Sequence, residues 1–460
     1  MKNIKLTSLA LLLVLLSSCS NEEEIVLQGQ ENTPLINSYN KGQKSNLKPI
    51  GSGVMMQAFY WDVPAGGTWW DVLNTKVEDW SKAGIDAIWL PPASKAQNGA
   101  FSMGYDPFDY YDFGQYNQMG NLETRFGSKK ELIRLINNAH ANSLSVIADI
   151  VINHNSGGDS ENNPYTNKKT YTNFDPLSGK FLRSANDFHP NNIHSKDSGH
   201  FGGFPDLCHH QNYVQDWLWK KSNSVAKYYK DVIGFDGWRF DYVKGFEPWV
   251  VKEWGKAVGG FSVGEYWDGS ETTLNSWVNQ SKASAFDFAC YYKMRDAFTG
   301  KNLNKLNEGM LWKMNPRKAV TFVTNHDTDE IHNGKMLAYS YILTHEGYPT
   351  IFYKDYEEWL NKERLNNLIW IHNNLAKGST SILYTDNDEY IAKRNGANNA
   401  GLIVYINNSN SWKSRWVETN WSTKKIKDYT GNSSWKPVTQ GDKRVKIQSP
   451  PKSYSVWSIR

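Results

Sequence analysis

The chain has 460 residues, with 51 Lys and Arg against 47 Asp and Glu, for a formal charge of +4. That near balance, without a long basic run, argues against nucleic acid as a partner. The length is too great for one small core and suits a large barrel with an insertion plus a further domain. Aromatic side chains are abundant, at 20 Trp, 25 Tyr and 19 Phe. They would serve either as core filling or as the apolar faces of a sugar groove, and composition does not separate the two.

The first residues are a targeting segment. Lys2 and Lys5 precede an apolar run from Leu9 to Leu16, which is too short for a comfortable membrane span. Leu16-Ser17-Ser18-Cys19 resembles the bacterial lipobox, in which the cysteine is lipidated and becomes the mature N-terminus. The acidic stretch Ser20–Glu24 resembles a signal for export to the outer surface. Residues 1–18 are thus expected to be a lipoprotein signal peptide, with Cys19 anchoring the protein to the bacterial outer membrane, exposed at the cell surface. An ordinary cleaved signal beside an unrelated cysteine is the alternative. Residues 19–50 are polar and aperiodic, and are read as a flexible tether.

Strand-like and helix-like stretches then alternate to about residue 375. Val54–Tyr60 reads as a strand. Trp69, Leu73, Val77 and Trp80 have helical spacing, and Gly84 ends that helix. Ala87–Leu90 is a second strand. Ser128 and Glu131 form a capping box before Leu132, Leu135, Ile136 and Ala139. Val146–Ile152 is nearly all apolar, as expected of a strand covered on both faces. Gly237–Val243, Phe261–Gly264, Ala285–Phe288, Ala319–Thr324 and Thr350–Tyr353 complete a set of eight. That pattern predicts a (β/α)8 TIM barrel in the α/β class. From Asn153 to about Gln211 no period is visible, so an inserted domain is expected after the third strand. The predicted barrel spans 51–153 and 207–375, and the insert 154–206. After residue 376 short alternating runs predict a C-terminal antiparallel β domain, a sandwich over 376–460. Its segments are Tyr390–Arg394, a turn at Asn395-Gly396, Leu402–Ile406 and Ser453–Ile459. Trp412, Trp416, Trp421 and Trp435 recur through it, with core packing favoured for them over starch binding.

Three apolar runs end in a carboxylate: Trp238–Phe240 in Asp241, Phe261–Gly264 in Glu265, and the segment from Thr321 in Asp327. Asp241 and Glu265 stand about one strand–helix–strand crossover apart. Both are therefore expected at the carboxyl ends of neighbouring strands, the face that carries the chemistry of such barrels. Two close carboxyl groups, one a nucleophile and one an acid, are what retaining glycoside hydrolysis needs.

Four segments resemble the signature regions of the α-amylase family, glycoside hydrolase family 13: Asp149–His154 (DIVINH), Gly237–Gly245 (GWRFDYVKG), Gly264–Trp267 (GEYW) and Phe322–Asp327 (FVTNHD). Gly104–Tyr116 (GYDPFDYYDFGQY) is similar to a further family motif. The likeness runs from about residue 50 to the C-terminus, and in detail the chain is similar to the plant and archaeal type. The resemblance implies that Asp241 is the nucleophile, Glu265 the acid and then base, and Asp327 the third carboxylate, which holds the ring hydroxyls. It implies that Arg239 keeps Asp241 charged and oriented, that His154 and His326 bind hydroxyls, and that Tyr105 stacks under the sugar. Asp106 would help hold the site, Lys244 would lie toward the product side, and Trp267 would form a wall there. Expected substrates are starch, glycogen and maltooligosaccharides, cut at internal α-1,4 bonds by a monomer. A transglycosylase on the same scaffold and a non-catalytic starch-binding lipoprotein are the alternatives.

The resemblance also implies calcium at Asn153, Asp197, Gly199, Asp206 and Gly245, where hard oxygen atoms suit that ion. It further implies zinc at His189, His194 and Cys208, beside the calcium. The residues alone leave the second set open, because their spacing is not a standard zinc spacing and a polar loop with a buried thiol fits equally. Where the archaeal pattern has adjacent cysteines, this chain has Ser195 and Lys196. Cys290, set among Phe286, Phe288, Tyr291 and Tyr292, reads as a buried structural thiol.

Overall fold

The structure is a computed structural model that describes residues 47, 49–197, 199, 201–396 and 401–459. The signal peptide, Cys19 and nearly all of the tether lie outside the described residues. Among the described residues, no helix is long and apolar enough to cross a membrane.

Eight parallel strands close into a barrel: β1 (Met55–Gln57), β2 (Ala87–Trp89), β3 (Ser145–Ile150), β4 (Gly237–Phe240), β5 (Phe261–Gly264), β6 (Ser284–Phe286), β7 (Ala319–Phe322) and β8 (Tyr348–Phe352). All eight lie within or beside the runs expected from the sequence. Seven are buried along their whole length, because side chains of one face fill the barrel and those of the other meet the surrounding helices. The barrel closes where β1 pairs with β8, Met55 opposite Thr350.

The capping box forms as expected. The Ser128 side chain accepts from the Glu131 N–H, the Glu131 side chain accepts from the Ser128 N–H, and a helix follows over Lys129–Ala141. The first helical stretch differs from expectation. It breaks into Trp69–Asn74 and Val77–Ala83, with Thr75 and Lys76 between them. Its apolar residues keep their period across the break, so Trp69, Leu73, Val77 and Trp80 all reach the core.

The segment after β3 leaves and returns side by side, at a bridge between His154 and Asp206. It contains an antiparallel hairpin, Asp159–Asn163 with Lys168–Asn173, that the sequence does not announce. Beyond the barrel, β9 (Thr380–Thr385), β10 (Glu389–Arg394), β11 (Ile403–Asn407), β13 (Ile426–Asp428) and β15 (Ser453–Ile459) form one antiparallel sheet, in the order β9-β10-β11-β15-β13. Two further strands, β12 (Lys413–Glu418) and β14 (Arg444–Ser449), pair as a separate ribbon. The connection expected to turn tightly at Asn395-Gly396 is longer, since Arg394 donates to the carbonyl of Leu402.

Candidate active site

Strand register builds the centre of the site. Asp149 on β3 lies opposite Arg239 on β4, so both point into the barrel together. Arg239 is 1 % exposed. Its Nη1 lies 2.7 Å from Asp149 Oδ1 and 2.8 Å from Asp241 Oδ1, and its Nη2 lies 2.6 Å from Glu265 Oε1. One guanidinium thus gathers three carboxyl groups from β3 and the ends of β4 and β5. The backbone fixes both end positions: Asp241 N–H donates to Ile150 O, and Glu265 N–H donates to Phe240 O. Gly264, just before Glu265, is required by packing, because a Cβ there would lie 2.1 Å from the Trp277 ring.

A second net reaches across from β1 and β2. Trp89 Nε1 and the Tyr105 hydroxyl both donate to Asp149 Oδ2, at 3.1 and 2.9 Å. The His326 ring lies between Gln57 Nε2, at 2.9 Å from Nδ1, and Tyr105 Oη, at 2.8 Å from Nε2. Asp327 Oδ2 lies 3.0 Å from the same Nε2. Trp61 stacks nearly parallel to the Tyr105 and His326 rings while remaining 49 % exposed. The result is an aromatic wall with one open face beside the carboxylates.

Electrostatics separate the acids. Burial, aided by the nearby Asp241 and Asp327, pushes Glu265 up to about 8 against the pull of Arg239. Burial also raises Asp149 to about 6, with Arg239 opposing. Burial would raise Asp327 as well, but the His326 hydrogen bond and the charges of His326 and Arg239 outweigh it and leave that carboxyl below its ordinary value. The surrounding carboxylates hold the Arg239 charge despite its burial.

The remaining predicted residues divide by position. His154 Nε2 lies 2.9 Å from Tyr105 O, and its ring stacks on Phe201 and Phe204 of the insert. Lys244 pairs with Asp268 at 3.2 Å, and Trp267 stacks on Phe288 and donates to the Tyr292 hydroxyl. Asp106 accepts from the Asn98 backbone and side-chain amides and from the Ser102 hydroxyl, so it shapes the loop that presents Tyr105. Sequence reasoning did not single out Gln57, Trp61, Trp89 or Asp149. Only Asp149 carried a signal, as the first residue of DIVINH.

The donor set for a hard cation is present. Asn153 Oδ1, Asp197 Oδ1 and Asp206 Oδ1 are all buried without a hydrogen-bond donor. Gly245 lies against Asn153, where a Cβ would come within 1.9 Å of that oxygen, and Gly199 lies beside the Tyr242 hydroxyl. Buried oxygens lacking donors fit a cation such as calcium. Next to them His189, His194 and Asp197 bring ligand atoms within 4.8 Å of one another. Cys208 is buried and free, with Sγ 3.8 Å from Asn191 Oδ1, and its thiol also meets the His189 side chain.

The comparisons agree with this geometry. A family model described as α-amylase C-terminal matches residues 402–458. The α-amylase of Bacillus licheniformis is 30 % identical over 66 % of this chain and 71 % of its own length. The cytoplasmic α-amylase of Escherichia coli is 26 % identical over 88 % of this chain and 98 % of its own. Among solved structures, an Anoxybacillus α-amylase covers 89 % of this chain and 98 % of its own, with a TM-score of 0.69 at 19 % identity, which shows a shared fold. With its closed barrel, its C-terminal sheet and these relatives, the chain belongs to the α-amylase family, glycoside hydrolase family 13.

Proposed function

We propose that the protein is an endo-acting α-amylase that hydrolyses internal α-1,4-glucosidic bonds of starch, glycogen and maltooligosaccharides with retention. The observation that carries this reading is the single Arg239 guanidinium holding Asp241 and Glu265 side by side, with burial keeping the Glu265 proton near neutral pH. Asp241 attacks the anomeric carbon while Glu265 gives its proton to the departing glycosidic oxygen. Glu265, now a base, takes a proton from water, which displaces Asp241 and releases a sugar of the original configuration. Asp327 and His326 hold ring hydroxyls, and the Tyr105–Trp61 wall supports the apolar ring face. Proton NMR of maltoheptaose digestion tests the reading. Early α-anomeric products from internal cuts are expected. Chains longer than the substrate would point to glucan transfer, and no products to a binding protein.

The orphaned oxygens of Asn153, Asp197 and Asp206 support calcium there, with backbone oxygens of Gly199 and Gly245 completing the shell. Calcium would supply no chemistry to the reaction. It would tie the insert to the barrel beside Arg239. Exhaustive chelation is expected to abolish activity and lower the melting temperature, the loss being on the order of 4 kcal/mol for a site filled at a thousandfold excess over Kd. Full activity with no metal retained would refute the role. The convergence of His189 and His194, with Cys208 buried behind them, supports a zinc-type ion beside the calcium. Metal analysis giving one ion per chain in place of two sinks that second site.

The lipobox likeness at Cys19 supports anchoring to the outer membrane at the cell surface. Membrane-derived protein is expected to carry a lipid-modified Cys19, and an unmodified thiol there would contradict the anchor. The folded part is proposed to be a monomer.

A further inference from the structure

Four of the five C-terminal tryptophans separate into two groups. Trp421 and Trp457 belong to the second hydrophobic core, between the five-stranded sheet and the ribbon. Trp412 and Trp416 are 54 % and 49 % exposed. The ribbon's period explains the difference. Val417, Val445 and Ile447 point inward to that core. Ser414, Trp416 and Glu418 point outward from β12, and Trp412 continues their period one residue before the strand. Across the ladder, Ser414 stands opposite Gln448, Trp416 opposite Lys446, and Glu418 opposite Arg444. The Arg444 guanidinium lies 5.8 Å from the Trp416 ring centre. A groove of about 790 Å³ runs along this strand toward Tyr384 on β9.

We propose that this ribbon face is a second, non-catalytic α-glucan-binding surface that holds the polymer while the barrel cuts it. Two indoles four residues apart on a strand are separated by roughly 13 Å, the span of a few glucosyl units. Each ring offers a flat apolar face to a pyranose ring. Between and opposite them stand acceptors and donors of both charge signs: Ser414, Glu418, Arg444, Lys446 and Gln448. A polyhydroxyl chain satisfies both kinds at once. An apolar protein partner would bury Glu418, Arg444 and Lys446 against nothing, which is costly. The gain for the enzyme is effective concentration, because a polymer held at one point meets the cleft more often. The ligand class rests on the amylase reading above, whereas the site lies apart from the catalytic residues.

The test compares the unsubstituted protein with the double variant Trp412→Ala/Trp416→Ala in adsorption to starch granules and in maltoheptaose hydrolysis. Adsorption is expected to weaken roughly tenfold or more with maltoheptaose kcat/KM unchanged. Unchanged adsorption overturns the proposal. The pair Trp412→Tyr/Trp416→Tyr, which keeps an aromatic face, should retain most of the binding; loss equal to the alanine pair would also count against it. If the ribbon is instead an interface between copies, sedimentation will show a concentration-dependent dimer that the alanine pair abolishes, with adsorption unaffected. Should the unsubstituted protein fail to cut maltoheptaose, the catalytic reading falls, and granule adsorption still reports on the ribbon.

Discussion

Replacing Asp241 with alanine is expected to lower kcat on maltoheptaose at least roughly ten-thousandfold, because the covalent step loses its nucleophile. The protein should still fold. Arg239 keeps Asp149 and Glu265 as partners, at 2.7 and 2.6 Å, so its buried charge is not abandoned. The variant also makes room beside the anomeric carbon. Added azide should enter that space and attack the carbon, while Glu265 still protonates the departing oxygen. The expected product is a β-glycosyl azide, inverted relative to the substrate, and the unsubstituted enzyme should make none. Asp241→Asn preserves shape and should be equally inactive. A variant at this position that keeps kcat within tenfold would mean that Asp241 is not the nucleophile. An unchanged melting temperature guards against mistaking unfolding for lost chemistry.

Substituting Glu265 with glutamine is expected to lower kcat/KM by roughly a hundredfold to ten-thousandfold, the usual range for a lost general acid. The pH profile is the sharper readout. Glu265 must carry its proton to protonate the leaving oxygen, and burial holds that proton up to about 8. Activity of the unsubstituted enzyme should therefore persist through neutral pH and fall as pH rises through about 8. In the glutamine variant that limb should vanish, since no proton is left to lose. Substrates whose leaving group departs without protonation, such as a glycosyl fluoride, should suffer far less at the first step. A basic limb that survives in the variant would assign the proton to another group.

The barrel was legible because its physics is repetitive. A parallel strand covered on both faces reads as a nearly continuous apolar run, as Val146–Ile152 does apart from Asp149, and the carboxylates of Asp241 and Glu265 read as the polar residues that end such runs. The insert's hairpin was not legible, because Asp159–Asn163 and Lys168–Asn173 are almost wholly polar and mostly solvent-facing. Their pairing depends on the hairpin and not on burial. The split of the first helix also left no mark, since the apolar period runs through the break. Gln57, Trp61 and Trp89 escaped for a different reason. Each acts through a partner on a distant segment, His326, Tyr105 or Asp149, and one-dimensional spacing carries no trace of such cross-strand meetings.

The closure of the barrel has a consequence for how the protein is made. Met55 pairs on one side with Ala87 and on the other with Thr350. During synthesis the first strand therefore keeps one edge unpaired until the eighth strand has been built. A nascent chain cannot complete its core early, and the closing contact carries a large loop-closure cost that slows folding. That delay leaves a long interval with exposed strand edges that a holding chaperone would have to cover.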